Sequence, residues 1–358
     1  MATMNPDPVD LHLEPNEASD LAPVPRDAVP AGFDSAYVTV LDEDAVERAI
    51  ALLGHRGDDL ADGWEATRLD LRVTGDDGRT EDAEACAFHG GRLYVAGSHY
   101  GSKDGPLQPR RAFFARMAEG DLARAASGEQ CELEVVRNAF AVHRAVNDAL
   151  RESGIELLPL VDEARGALID ATIDRGEDKG KGWSGRVRPD DQPINIEGME
   201  FRPDGTLLLG LRVPVSASGA PLLVELHDVD ALFDDPEKPV TCGAVWVVGC
   251  GGDPERPLGV RGLHRSETDE LHVLVGNLDA EGKDSVLLAG RPSDANAHCE
   301  HWSLRLPLTA RGGPVEATRV HDFPDFKTVE GIAQTADGHF LYVVDRDHNV
   351  HLRFLLGD

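Results

Sequence analysis

The stretch Asn195-Ile196-Glu197-Gly198-Met199-Glu200-Phe201-Arg202-Pro203-Asp204-Gly205-Thr206-Leu207-Leu208-Leu209-Gly210-Leu211-Arg212-Val213-Pro214 reads as two strands joined by a turn. Pro203, Asp204 and Gly205 supply the turn, because proline presets φ and glycine accepts a positive one. Thr206 to Leu211 is an almost unbroken apolar run, the pattern of a strand covered on both faces. A carboxylate, Glu197, opens the unit and a guanidinium, Arg212, closes it.

The same phrase recurs along the chain. Glu84-Ala85-Cys86-Ala87-Phe88 leads through the turn His89-Gly90-Gly91 to Leu93–Ala96 and the exit Ser98-His99. Arg261-Gly262-Leu263 leads to Leu271–Val275 and Gly276-Asn277, and Glu330-Gly331-Ile332 leads to Phe340–Val344 and Asp345-Arg346. A fifth copy shows only its second half, Ala36–Val40 followed by Asp42-Glu43-Asp44. Internal copies spaced by roughly 40–70 residues point to a propeller or solenoid. Short strands with turn signals and few long helical patterns favour the propeller. The expected fold is therefore all-β dominated, a five-bladed β-propeller, with six blades as the alternative.

Composition narrows the function. The chain has 358 residues, with 65 acidic against 35 basic side chains, a net charge of −30. That balance argues against a basic nucleic-acid face, since neutralising phosphates needs Lys and Arg. No run of 18 apolar residues suggests a membrane span. Met1–Asp20 has neither the basic start nor the apolar core of a secretory signal. Five unpatterned cysteines (Cys86, Cys131, Cys242, Cys250, Cys299) suggest reduced thiols, and a cytoplasmic location is expected.

In chain order, residues 1–32 read as a mostly flexible leader containing one strand near 10–14, expected to close the ring against the C-terminal blade. Residues 33–358 form the propeller. Within it, 138–195 departs from the strand pattern: Val142, Ala145, Val146, Ala149 and Leu150 share one helical face. Leu160–Ile173 reads as a second helix and 178–193 as a loop. This helical insertion is expected to cap one mouth of the ring or to contact a protein partner.

Several of these pieces resemble the bacterial domain-of-unknown-function family DUF3616. They are Asn195–Gly198 with its exit Gly210–Pro214, the Asp42-Glu43-Asp44 exit, the loop Gly97–Lys103 followed by Arg110-Arg111, and Arg261-Gly262-Leu263. The resemblance spans roughly residues 33–350. It implies a propeller-like fold and brings no established activity.

First strands of propeller blades line the central channel, so equivalent positions converge on one axis. Glu84, Glu197, Arg261 and Glu330 share one repeat position; His99, Arg212, Asn277 and Asp345 or Arg346 share the other end of the hairpin. In one reading Glu84, Glu197, Glu330, Asp42 and Asp345 hold a hard divalent cation, Ca²⁺ or Mg²⁺, which prefers oxygen ligands. His99, Arg212, Arg261, Asn277 and Arg346 would then meet a small polar or anionic ligand. A metal-activated water could also make the site a phosphoester or ester hydrolase. In the plainer reading the carboxylates accept strand N–H groups and pair with Arg212, Arg261 or Arg346 as internal glue. An interaction scaffold is a third possibility. His298-Cys299-Glu300-His301 carries metal-capable side chains, but its spacing fits no usual zinc pattern. Gly249-Cys250-Gly251-Gly252 lacks the Lys-Ser/Thr of a phosphate loop and reads as a turn.

Overall fold

A computed structural model describes residues 3–4, 9–13, 17–42, 44–76, 78–102, 104–235, 238–278, 285–288, 298–307, 311–326, 328–344 and 350–356. Among these residues the strands form five antiparallel meanders, two of them extended by a parallel edge strand. The first contains Ala18–Pro23, Ser35–Leu41, Ile50–His55 and Trp64–Arg68. The second runs Ala83–His89, Arg92–Gly97, Phe113–Ala118 and Cys131–Arg137. The third runs Asn195–Phe201, Leu207–Val213, Leu222–His227 and Thr241–Gly249, and the fourth Leu258–Arg265, Leu271–Asn277, Cys299–Leu304 and Thr318–Phe323. The fifth contains Val329–Gln334, Phe340–Val344 and Val350–Leu356. Its outer edge is completed by Val9–Leu11 and Thr3–Met4, both antiparallel to Val350–Leu356.

The first strands pack side by side in a closed cycle: first sheet on second, second on third, third on fourth, fourth on fifth, and fifth back on first. A cycle of sheets joined at their inner strands is a β-propeller. The apolar runs fill the spaces between sheets. Leu207, Leu208, Leu209 and Leu211 are all buried, each contributing on the order of 1.5–3 kcal/mol.

Every inner strand carries a register shift at its start, between Ala18 and Asp20, Ala83 and Ala85, Ile196 and Gly198, Val260 and Gly262, and Val329 and Gly331. The residues skipped by the ladder register are Ser19, Glu84, Glu197, Arg261 and Glu330. A bulge of this kind bends the strand and re-aims one side chain. The glycines that follow explain the repeated charge-glycine pair. A Cβ on Gly331 would lie 2.7 Å from the Asp20 carbonyl carbon and the Leu21 nitrogen, and one on Gly262 would lie 2.8 Å from the Glu330 oxygen. Both glycines let the next inner strand approach.

Several expectations need correction. Residues 18–23 belong to no loose leader; they are the innermost strand of the first sheet, so that sheet begins ahead of residue 33. The small residues Ala18 and Ser19, the charge of Asp20 and the terminal Pro23 conceal the strand period. Trp64–Arg68 stays in the first sheet, while the nearby Leu71–Gly75 pairs in parallel with Cys131–Arg137 of the second. Likewise Gly313–Glu316 joins the third sheet and Thr318–Phe323 the fourth. Residues 138–195 hold the helices Ala141–Ser153, Asp162–Arg165 and Ala171–Asp178, the last two joined by a wide helical turn at Gly166–Asp170.

Gly331→Ala is expected to destabilise the protein by about 1–3 kcal/mol, the cost of overpacking a closed backbone contact. Urea unfolding of the variant against the parent checks this.

Candidate functional site

The bulged end of each inner strand lies opposite the exit of the second strand: Ala83 faces Gly97, Asn195 faces Val213, Leu258 faces Asn277 and Val329 faces Val344. The charged repeat positions therefore gather at one end of the sheets. The helical segment packs at the same end. Leu168, Ile169 and Val187 share a core with Tyr100, Leu107, Val213, Val215 and Leu278, which lie beyond or at the second-strand exits. Leu107 N donates to Thr172 Oγ1 at 2.9 Å.

One arc of the axis is an ion-paired network. Arg261 Nη1 donates to Glu197 Oε2 at 2.8 Å, and its Nη2 lies 2.5 Å from Glu330 Oε1. One guanidinium of the fourth sheet thus joins the third and the fifth. Glu197 Oε1 also accepts from Arg212 Nη1 at 2.5 Å and from Asn195 Nδ2 at 2.9 Å. Burial alone would push the Glu197 carboxyl up, but Arg212 and Arg261 outweigh it and hold the group below its usual range. Arg261, 2% exposed, is held firmly protonated against its own burial by Glu330 and Glu197.

The other arc is acidic. Asp42, Asp82 and Glu84 bring carboxylate oxygens within 4.8 Å of one another. Burial, followed by the charges of Asp82, Glu197, Asp42 and Glu330, pushes the Glu84 carboxyl well above its ordinary value. Asp82 is also raised, chiefly by burial, although Arg111 and Ser98 oppose the shift. Arg111 Nη1 lies 3.0 Å from Asp82 Oδ1, and Ser98 Oγ donates to Oδ2. Arg111 Nε donates to Glu81 Oε1 at 3.0 Å. Backbone bonds fix this arc, with Asp82 N on Asp42 O at 3.0 Å and Ser98 N on Asp82 O at 3.1 Å.

The expected site residues are thus divided. Glu84 and Asp42 are together, joined by Asp82, which the repeat pattern did not mark because it precedes the charged position. Glu197 and Glu330 are engaged by arginines. Asn277 lies at the mouth end of its strand opposite Leu258. Asp345 and Arg346 lie outside the described residues. His99 cannot meet a ligand: it is completely buried, its Nδ1 is 2.8 Å from Gly97 O, and its Nε2 is 2.7 Å from Asn138 Nδ2. Those bonds suit a neutral ring donating from Nδ1, and burial drives its pKa down to about 4. Ser19, the first-sheet counterpart of Glu84, carries no charge and went unmarked. Arg111 was visible only as half of the Arg110-Arg111 pair.

A second buried polar group sits between the fourth and fifth sheets. His272 Nδ1 and His301 Nε2 are 2.9 Å apart, and His301 Nδ1 is 2.9 Å from Tyr342 Oη. His264 and His272 are held neutral by burial, with pKa values lowered to about 3 and about 4. His301 and His321 are lowered too, mainly by burial. The charged neighbours acting on this group are Arg265, Glu270 and Asp322.

No family model matches the chain, and no curated protein matches it. Solved structures with similar folds include the WD40 β-propeller domain of Doa1, at 10% identity over 100% of this chain and 98% of that one, TM-score 0.37. The Cellvibrio cellulosa α-L-arabinanase complexed with arabinohexaose is 12% identical over 98% of this chain and 94% of that one, TM-score 0.44. A thermostable family-43 glycoside hydrolase is 11% identical over 96% and 91%, TM-score 0.44. Likeness at this level carries no activity across.

Removing the shared cation should be costly. Arg261→Met is expected to lose about 3–5 kcal/mol, because it strands buried carboxylates. Arg212→Met should lose less, since Glu197 keeps Arg261. Adding Glu330→Gln to Arg261→Met should recover part of the loss, as read by urea unfolding. The histidines set an acid limit. Their folded pKa values lie below the unfolded value of about 6.5, so their stabilisation is complete above that pH. It falls as the pH drops toward 4, by up to about 1.4 kcal/mol per pH unit for each group. Glu84 and Asp82, shifted the other way, oppose the fall. Urea midpoints at several pH values should decline less steeply in His272→Gln than in the parent.

Proposed function

We propose that each of the five sheets is one blade of a five-bladed propeller, and that its charged mouth binds a small polar or anionic molecule together with a divalent cation. The observation that carries this reading is the separation of charge around the axis. Glu197 and Glu330 are bridged by Arg212 and Arg261, whereas Asp42, Asp82 and Glu84 converge with Arg111 on Asp82 as the basic contact described. Three carboxylates offer only oxygen donors, the chemistry of a hard cation. Their oxygens lie close enough together to share one cation. The raised Glu84 carboxyl supports the same view, since a cation would take the place of its proton. Arg212 is 15% exposed at its side chain and supplies the positive group nearest solvent on the opposite arc. A ligand oxyanion could reach from the cation toward it. The helical segment 138–195, packed on the second-strand exits, would limit access to this mouth.

Calcium is expected to raise the melting temperature, because it binds the folded chain alone. The rise should grow with increasing pH, and calorimetry in buffers of different ionisation enthalpy should show proton release. Glu84→Gln should abolish the calcium response. In chelator near neutral pH it should melt at least as high as the parent, since it removes a carboxyl that folding leaves among like charges. A calcium response retained by Glu84→Gln would remove this carboxyl from the site.

A further inference from the structure

His298, just ahead of the third strand of the fourth sheet, Glu300 on that strand and Asp322 on the fourth form a second metal-capable cluster, away from the axis-lining Leu258–Arg265. Glu300 and Asp322 are directly opposite in the antiparallel ladder. Like charges so placed destabilise a sheet unless a cation lies between them. His298 stands two residues before Glu300, and alternation along a strand puts it on the same face. Its Nε2 is 3.4 Å from Glu300 Oε1 and 3.3 Å from Asp322 Oδ1. Those separations are long for hydrogen bonds. They match the edge of a tetrahedron with metal–ligand bonds of about 2.05 Å, which is about 3.3 Å.

The surroundings hold the ligands in place. Trp302 Nε1 donates to Glu300 Oε2 at 2.7 Å, fixing that carboxylate and leaving Oε1 toward the histidine. Arg319 Nη1 donates to Oε1 at 3.2 Å and its guanidinium lies 5.9 Å from the Trp302 ring centroid, with the side chain 53% exposed. Cys299, between His298 and Glu300, is wholly buried on the other face and takes no part.

We propose that His298, Glu300 and Asp322 bind a first-row divalent cation in Zn²⁺-like tetrahedral coordination, with the fourth position left to water. One imidazole with two carboxylates is a donor set that zinc and its neighbours accept. The ion would clamp Thr318–Phe323 to Cys299–Leu304 and neutralise their facing carboxylates. This site is independent of the one at the axis.

Cobalt(II) titration of the chelator-treated full-length protein tests it. The expected result is a visible band of nitrogen-and-oxygen type, without thiolate charge transfer, and a rise in melting temperature. Affinity should fall at least tenfold in His298→Ala and in Asp322→Asn. Both residues are surface-accessible, so either variant serves if the other folds poorly. Absence of binding by the parent, a thiolate band, or equal affinity in parent and both variants would overturn the proposal.

Discussion

The molecule depends on Arg261. It is a long cation at the point where three sheets meet, and it holds a carboxylate of the preceding sheet and one of the following sheet at the same time. Each charge is inside the ring, where an unpaired one would be costly. The bulge at the head of every inner strand makes the meeting possible, because it turns one side chain out of the ladder at the same height in each sheet. The glycine after the bulge in the third, fourth and fifth sheets then removes the Cβ that would keep neighbouring strands apart.

This arrangement gives the axis two different halves. Where arginines are present the carboxylates are consumed by pairing. In the first and second sheets the counterpart of Arg261 is a serine or a glutamate, and carboxyls crowd together. Burial first, and that crowding second, push the Glu84 carboxyl above its ordinary range. A ring of one charge type would repel itself, and a fully paired ring would have little left to offer a ligand. The mixture leaves one arc cross-linked by ion pairs and the other lined by closely spaced carboxyls.

Much of the architecture was legible because its cause is local. The hairpin of charge, glycine, apolar residue, turn and apolar run could be read at Glu84, Glu197, Arg261 and Glu330, since each copy is a few tens of residues long. Ala18–Pro23 was not legible, because its strand is made by pairing with Ser35–Leu41 rather than by its own alternation. His99 was misjudged because repeat position alone does not say which way a side chain turns. Its positive φ of 60° and its bonds to Gly97 and Asn138 take it into the core.

The amino-acid order by itself determined the hairpins, their turns and the charged residues at their tips, because strand period and turn chemistry act over neighbouring residues. Which of those charges meet was decided only when the ring closed. Arg261 and Glu197 are 64 residues apart, and Glu300 finds Asp322 only across a strand pair. Electrostatic pairing depends on distance in space, and that distance is set by how the sheets pack against one another.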